Sequence, residues 1–196
     1  VEDKTTIIDR IKTTETTTDF EDCDLVIEAV FENAKVKRKV TQEAEQHLDE
    51  YAFIGSNTLS IPISELAMAS NRPDNYIGLH FFHPAQSVPL IEIVKGKKTS
   101  DETVARAFDF ARAINKIPIV VKDDWGFYVS RVQNTFILES ITMLSEGYAP
   151  ALIENLGIQA GMPKSGLAFA DDLGLRMVMR YEQLADEHYG SKYVQH

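Results

Sequence analysis

The sequence predicts an α/β unit with an open, largely parallel sheet, followed by an all-α unit. Three observations predict it. Short apolar, β-branched runs alternate with polar helical stretches as far as residue 124, the pattern of strand–helix–strand units. After Asp123-Asp124-Trp125-Gly126 the apolar spacing becomes that of helices and stays so. A chain of 196 residues, 44% hydrophobic and 26% charged, is also long enough for one full core or one and a half domains. The boundary therefore falls near residue 125, giving units 1–124 and 125–196.

The elements follow in order. The first twenty residues are polar and threonine-rich, with the weak apolar pattern Ile7, Ile8 and Ile11, and read as the end of a helix and a connection. Asp24-Leu-Val-Ile-Glu-Ala-Val30 is short, apolar and β-branched, which predicts a buried strand. Residues 33–49, rich in Lys, Glu and Gln, predict a helix; Phe53 to Thr58 predicts a strand and turn, and Ile63 to Ala69 a short helix. Tyr76 to Phe82, stopped by Pro84, is a third strand, and Pro89 to Val94 a fourth. Thr99-Ser-Asp-Glu102 carries helix-start chemistry, a hydroxyl cap with acids behind it, and Val104, Phe108 and Ala111 mark one face. Ile117 to Val121 is a fifth strand. Beyond it, Phe127 to Leu144 predicts one long helix with Val132, Phe136, Ile137, Ile141 and Leu144 on its buried face. A helix starting at Pro150 and another over about 170–189 complete the pattern.

Composition excludes several classes. No apolar run approaches the roughly 18 residues of a membrane span. Thirty acidic against twenty basic residues give a net charge of −10, which argues against nucleic acid as the main partner. One cysteine, Cys23, rules out an internal disulfide framework and fits a reducing compartment, so a soluble cytoplasmic protein is expected.

Three constellations carry chemistry. Glu28 and Glu32 lie at the carboxyl end of a predicted parallel strand, where open α/β sheets place their ligands; taken alone they also suit solvated acids at a strand end. Lys35, Lys37, Arg38 and Lys39 follow, and on a helix 35, 38 and 39 share neighbouring faces that can gather phosphates or simply face solvent. Gly78-Leu-His80-Phe-Phe-His83-Pro84 precedes Glu92 in the next strand. A strand-end histidine acts as general base when a carboxylate fixes its tautomer, and otherwise is a satisfied core residue. An extended strand would set His80 and His83 on opposite faces, and no further Cys/His cluster completes a site, so no metal is expected.

Taken together and in order, Asp24-Leu-Val-Ile-Glu-Ala-Val with Glu32-Asn33 and Lys35-Val-Lys37, Ser56-Asn-Thr58, Gly78-Leu-His-Phe-Phe-x-Pro84, Leu90-Ile-Glu92-Ile and Gly126-Phe-Tyr-Val-Ser-Arg131 resemble the L-3-hydroxyacyl-CoA dehydrogenase family. Ala151-Leu-Ile-Glu-Asn155 and Gln159-Ala-Gly-Met-Pro163 are most similar to its multifunctional fatty-acid oxidation α-chains. The resemblance implies a partial Rossmann-type NAD-binding sheet over 1–124 and the start of the family's helical substrate and dimerisation domain over 125–196.

Carried over residue by residue, the resemblance implies that His80 is the general base, Glu92 its partner carboxylate, and Glu32 and Lys37 the acid and lysine on the nicotinamide side. The family's active-site serine falls on Leu59, which cannot donate a hydrogen bond; Ser60 is next in line but would point elsewhere on a matching backbone. Its active-site asparagine falls on Ser130, and a cofactor-side asparagine is replaced by His83. The family's G-x-G-x-x-G loop is not among the ten glycines, and the chain stops at Tyr193-Val-Gln-His196 before the helical domain would normally finish; both suggest an internal fragment. The implied activity is NAD-dependent oxidation of L-3-hydroxyacyl-CoA to 3-ketoacyl-CoA in β-oxidation, with an acyl-CoA substrate and a homodimer or fatty-acid oxidation complex as assembly. The alternative is a catalytically lapsed acyl-CoA-binding or subunit-contact module of the same family.

Overall fold

The computed structural model describes residues 3–190; the terminal Tyr193–His196 segment lies outside them. Two compact units meet between Asp123 and Asp124. In the first, a short helix α1 (Lys4–Ile8) and a 3₁₀ turn (Thr17–Phe20) precede β1 (Leu25–Glu28), α2 (Ala34–Glu45), β2 (Phe53–Ser56), α3 (Ile63–Leu66), β3 (Tyr76–Phe81), β4 (Leu90–Lys95), α4 (Asp101–Ala113) and β5 (Ile117–Lys122). The five strands form one sheet in the order β1-β2-β3-β4-β5.

The sheet is largely parallel, as expected, with one antiparallel pairing. β1, β2 and β3 run parallel, β3 and β4 pair antiparallel, and β5 is parallel to β4. Length is the reason: a parallel crossover needs a dozen or more residues, and only the eight from Phe82 to Pro89 join β3 to β4. The chain must fold back.

Alternation along β3 and β4 divides their side chains between two faces. Ile77 and Leu79 of β3, with Ile91 and Ile93 of β4, pack on Ala107 and Ala111 of α4 and on Phe53 to make the main core. Gly78, His80 and Glu92 occupy the other face. There Gly78 is required by space, since a Cβ would strike the side chains of Ile63 and Val94.

α2 starts where a cap allows it: Asn33 Oδ1 accepts from the backbone N–H groups of Lys35 (2.9 Å) and Val36 (3.2 Å). It stops at Glu45 rather than continuing to 49. The next residues turn to present their carbonyls, Asp49 to the Arg72 guanidinium and Glu50 to Asn75 Nδ2 at 3.1 Å. Ser100 caps α4, accepting from Thr103 N at 3.1 Å.

The second unit holds α5 (Val129–Ser145), α6 (Pro150–Gln159), α7 (Gly166–Leu173) and α8 (Leu175–Tyr189). Two expectations are corrected here. The segment 170–189 is two helices, because Gly174 sits at φ +79°, a left-handed conformation that glycine adopts without a Cβ penalty. The buried face of α5 is Ser130, Asn134, Ile137 and Ser140, while Val132 and Leu144 are 48% and 42% exposed. Small polar residues win that face because α7 comes close: a Cβ on Gly166 would collide with Ser140.

Candidate functional site

The carboxyl ends of β1, β2 and β3 lie side by side, and the candidate residues of the first unit gather there. His80 and Glu92 are direct partners in the antiparallel register, which puts both side chains on one face. His80 Nδ1 and Glu92 Oε2 are 2.6 Å apart, both side chains buried. A carboxylate only accepts, so Nδ1–H is the donor and the neutral ring carries its lone pair on Nε2. The Phe82 ring lies against the imidazole, centroids 4.4 Å apart. The structure thus brings together two residues that are twelve apart in sequence.

A second cluster centres on Lys37. Its ammonium donates to both oxygens of Glu28 (3.1 Å each), to the Asn57 carbonyl (2.9 Å) and to the Val30 carbonyl (3.4 Å), with Glu32 Oε2 at 3.7 Å. The Ser56 hydroxyl donates to Glu28 as well. Lys37 therefore leaves the basic group formed by its neighbours and turns inward. Of those neighbours, Arg38 pairs with Glu65 (2.7 Å) and Lys39 with Glu43 (3.5 Å), so two of the cations proposed to gather phosphates are spent on carboxylates.

Glu32 clamps the turn after β2. Its Oε1 accepts from Thr58 Oγ1 (2.7 Å), Leu59 N (3.0 Å), Ser60 N (2.9 Å) and Ser60 Oγ (3.1 Å). Ser60 is buried with its hydroxyl on Glu32, so it points away from the role left vacant by Leu59. Leu59 itself is half-buried. His83 is outside β3 and exposed, at a cis bond to Pro84. Ser130 is buried in the first turn of α5, in the second unit.

Two residues of the cluster, Ser56 and Asn57, entered the sequence reading only as parts of a motif, while Glu28 entered as a strand-end acid where open α/β sheets place their ligands. Asn57 links strands: its N–H donates to the Glu28 carbonyl (2.8 Å) and its Oδ1 accepts from Phe81 N (3.2 Å). A buried lysine needs a carboxylate, and the Glu28–Lys37 spacing from strand end to first helical turns was the available signal.

Among the described residues no group of three His, Cys, Asp or Glu is placed to hold a metal ion, and no helix is long and apolar enough to cross a membrane.

A mixed α/β sheet with a buried histidine–carboxylate pair at its strand ends, followed by a helical unit, is an arrangement that dinucleotide-linked dehydrogenases use. The particular family is set by comparison. Residues 1–124 match the 3-hydroxyacyl-CoA dehydrogenase NAD binding domain and residues 126–196 the 3-hydroxyacyl-CoA dehydrogenase C-terminal domain, so the chain belongs to the 3-hydroxyacyl-CoA dehydrogenase family. It is 36% identical over 181 residues to the fatty acid oxidation complex subunit alpha of Shewanella amazonensis, covering 91% of this chain and 26% of that protein. The Shewanella frigidimarina counterpart is also 36% identical over 181 residues, with 92% and 26% covered. The chain thus spans about a quarter of the length of these relatives. Its fold superimposes on (S)-3-hydroxybutyryl-CoA dehydrogenase PaaH1 from Ralstonia eutropha with a TM-score of 0.90, at 33% identity, covering 96% of this chain and 67% of that one. The 3-hydroxybutyryl-CoA dehydrogenase from Escherichia coli K12 gives a TM-score of 0.82 at 28% identity, covering 88% and 37%.

The residues present fit the nicotinamide end of NAD. Glu32, 29% exposed in its side chain, offers a carboxylate at the strand ends beside the His80 strand. Donors for the pyrophosphate, a G-x-G-x-x-G loop, are not in this sequence.

Proposed function

We propose that the protein oxidises L-3-hydroxyacyl-CoA to 3-ketoacyl-CoA with NAD. The observation that carries this reading is the buried 2.6 Å pair of His80 Nδ1 and Glu92 Oε2 at the end of β3. Nε2 is the atom that takes the proton of the substrate's C3 hydroxyl; as the O–H bond breaks, the C3–O bond becomes a carbonyl and the C3 hydrogen leaves with its electron pair. NAD, when bound, supplies the acceptor for that hydride. Glu92 accepts Nδ1–H throughout, which holds the ring in one tautomer and faces the imidazolium with a negative charge. Glu32 and the turn it clamps border the nicotinamide side, with His83 at the rim of the same strand end. Ser130 takes the place of the family's active-site asparagine, among the catalytic residues, from its position in the Gly126–Arg131 motif.

The name borne by the Shewanella relatives supports membership of a fatty acid oxidation complex. The net charge of −10 and the single cysteine support a cytoplasmic setting without nucleic acid.

Turnover of L-3-hydroxybutyryl-CoA by the full-length protein, followed through formation of reduced nicotinamide, tests the reading. His80→Gln should lower kcat by about 10²–10⁴ with acyl-CoA affinity nearly kept. Undiminished turnover in that variant would remove His80 from the chemistry. The lapsed-module reading draws on one observation, that the hydroxyls of Thr58 and Ser60 are both committed to Glu32 and Leu59 has none. Acyl-CoA binding without any turnover in the unaltered protein would favour it.

A further inference from the structure

Residues 58–64 join β2 to α3 and carry Leu59, and a carboxylate holds them at each end. Glu32 grips residues 58–60. At the far end Asp123, directly after β5, accepts the Ile63 N–H on Oδ1 (2.6 Å) and the Ser64 N–H on Oδ2 (2.8 Å). We propose that Asp123 is a positioning residue for the reaction: it anchors this segment and, through Ile63, the sheet face beside His80 and Glu92. What is positioned rests on the dehydrogenase reading, while the anchoring itself does not.

Local chemistry leaves the start of α3 short of acceptors. The first N–H groups of a helix have no partner within it, and an N-cap side chain ordinarily takes one or two of them. Here the N-cap is Pro62, whose side chain has no acceptor and makes no cap hydrogen bond. Its carbonyl takes the N–H groups of Glu65 (3.0 Å) and Leu66 (3.2 Å), which leaves those of Ile63 and Ser64. Asp123 supplies one carboxylate oxygen to each, from the end of the edge strand β5, and hydrogen bonds to an ionised acceptor are the stronger kind. The Ser64 hydroxyl in turn accepts the Lys97 N–H (2.8 Å) beyond β4.

Ile63 carries the anchoring to the catalytic face. It is fully buried and lies on Gly78: its Cγ1 and Cδ1, like Val94 Cβ, come within 2.7 Å of where a Gly78 Cβ would stand. Gly78 and Val94 are register partners, one pleat along from the His80–Glu92 pair and on the same face. Ile63 therefore fills the face one step behind that pair, with its main chain fixed by Asp123. On the other side of Pro62, Leu59 takes its direction from a stretch tethered at both ends.

Hydrogen–deuterium exchange of the full-length protein, read by mass spectrometry, tests the anchoring without any turnover. In residues 59–64 every non-proline N–H is hydrogen-bonded, so peptides spanning them should exchange slowly in the unaltered protein. Asp123→Asn removes the charge and one acceptor, and should speed those peptides by about tenfold or more while β1 and α4 peptides keep their rates. Rapid exchange of 59–64 in the unaltered protein, no change in the variant, or an acceleration spread evenly over all three regions overturns the proposal. The positioning role is read from the kinetics of the same variant. There kcat/KM for L-3-hydroxybutyryl-CoA should fall by about tenfold or more, with NADH Kd held within about threefold. Unchanged kcat/KM beside faster exchange would reduce Asp123 to a helix cap, and an equal loss of NADH affinity would make the effect general; either result overturns the role. An unaltered protein without turnover sinks the dehydrogenase reading and leaves the exchange result to decide the anchoring.

Discussion

Replacing Leu59 with serine returns a hydroxyl to the turn that follows β2, at the position where the family's motif carries one. Its effect can be worked from the turn's hydrogen bonds. Glu32 Oε1 already holds Thr58 Oγ1, Ser60 Oγ and the N–H groups of Leu59 and Ser60, so the backbone at 59 is fixed and a new side chain there inherits a defined direction. A hydrogen bond to an oxygen gaining or losing its proton is worth about 1.5–3 kcal/mol, which is roughly one to two decades in rate. The opposing cost is loss of a half-buried leucine, about 1 kcal/mol of folding stability, and this falls on the folded state rather than on the barrier. In the full-length protein Leu59→Ser should therefore raise kcat/KM for L-3-hydroxybutyryl-CoA by about tenfold or more, with NAD affinity little changed and a slightly lower Tm. Initial rates at limiting substrate measure it. Unchanged or lower kcat/KM would show that a water or another group already donates at this place, and would refute the reasoning.

Three further predictions follow from specific contacts. Glu92→Gln keeps an acceptor for His80 Nδ1–H but removes the charge, so kcat should fall by about 10–10² while substrate binding is kept; steady-state kinetics check it, and an unchanged kcat would remove Glu92 from the reaction. Burial, ahead of all other influences, pushes the Tyr76 hydroxyl from 10.0 up to about 12. Because the folded state holds that proton more tightly, the contribution is fully present below pH 10 and is lost as pH rises through 12; Tyr76→Phe should flatten this alkaline loss in denaturant titrations. Gly126 sits at φ +68° with Tyr181 against its Cα, so Gly126→Ala should cost about 1–2 kcal/mol from backbone strain alone and more as Tyr181 is displaced. Fluorescence of Trp125, the sole tryptophan, reports the unfolding of that unit.

The sequence by itself determined the order and kind of nearly every element, because each is set by local chemistry. β-Branched runs such as Leu25 to Glu28, the Asn33 and Ser100 caps, and the change of period after Trp125 act over a few residues. It also made His80 and Glu92 candidates through ordered motifs. Sheet direction was beyond it. Strand 90–95 reads the same whichever way it runs, and only the short link from β3, closing into a ladder with His80 opposite Glu92, decides it. Helix 127–144 shows the same limit: periodicity put Val132 and Leu144 inside, whereas the close approach of Gly166 at Ser140 turned the small polar face inward. Lys37 is the sharpest case. Its neighbours Lys35, Arg38 and Lys39 read alike in sequence, yet only Lys37 meets an acid and two carbonyls delivered from β1 and β2, and burial follows from those partners. Pattern records what a residue prefers locally, while side-chain partnerships are made between strands far apart in the chain, and those exist only once the sheet has closed.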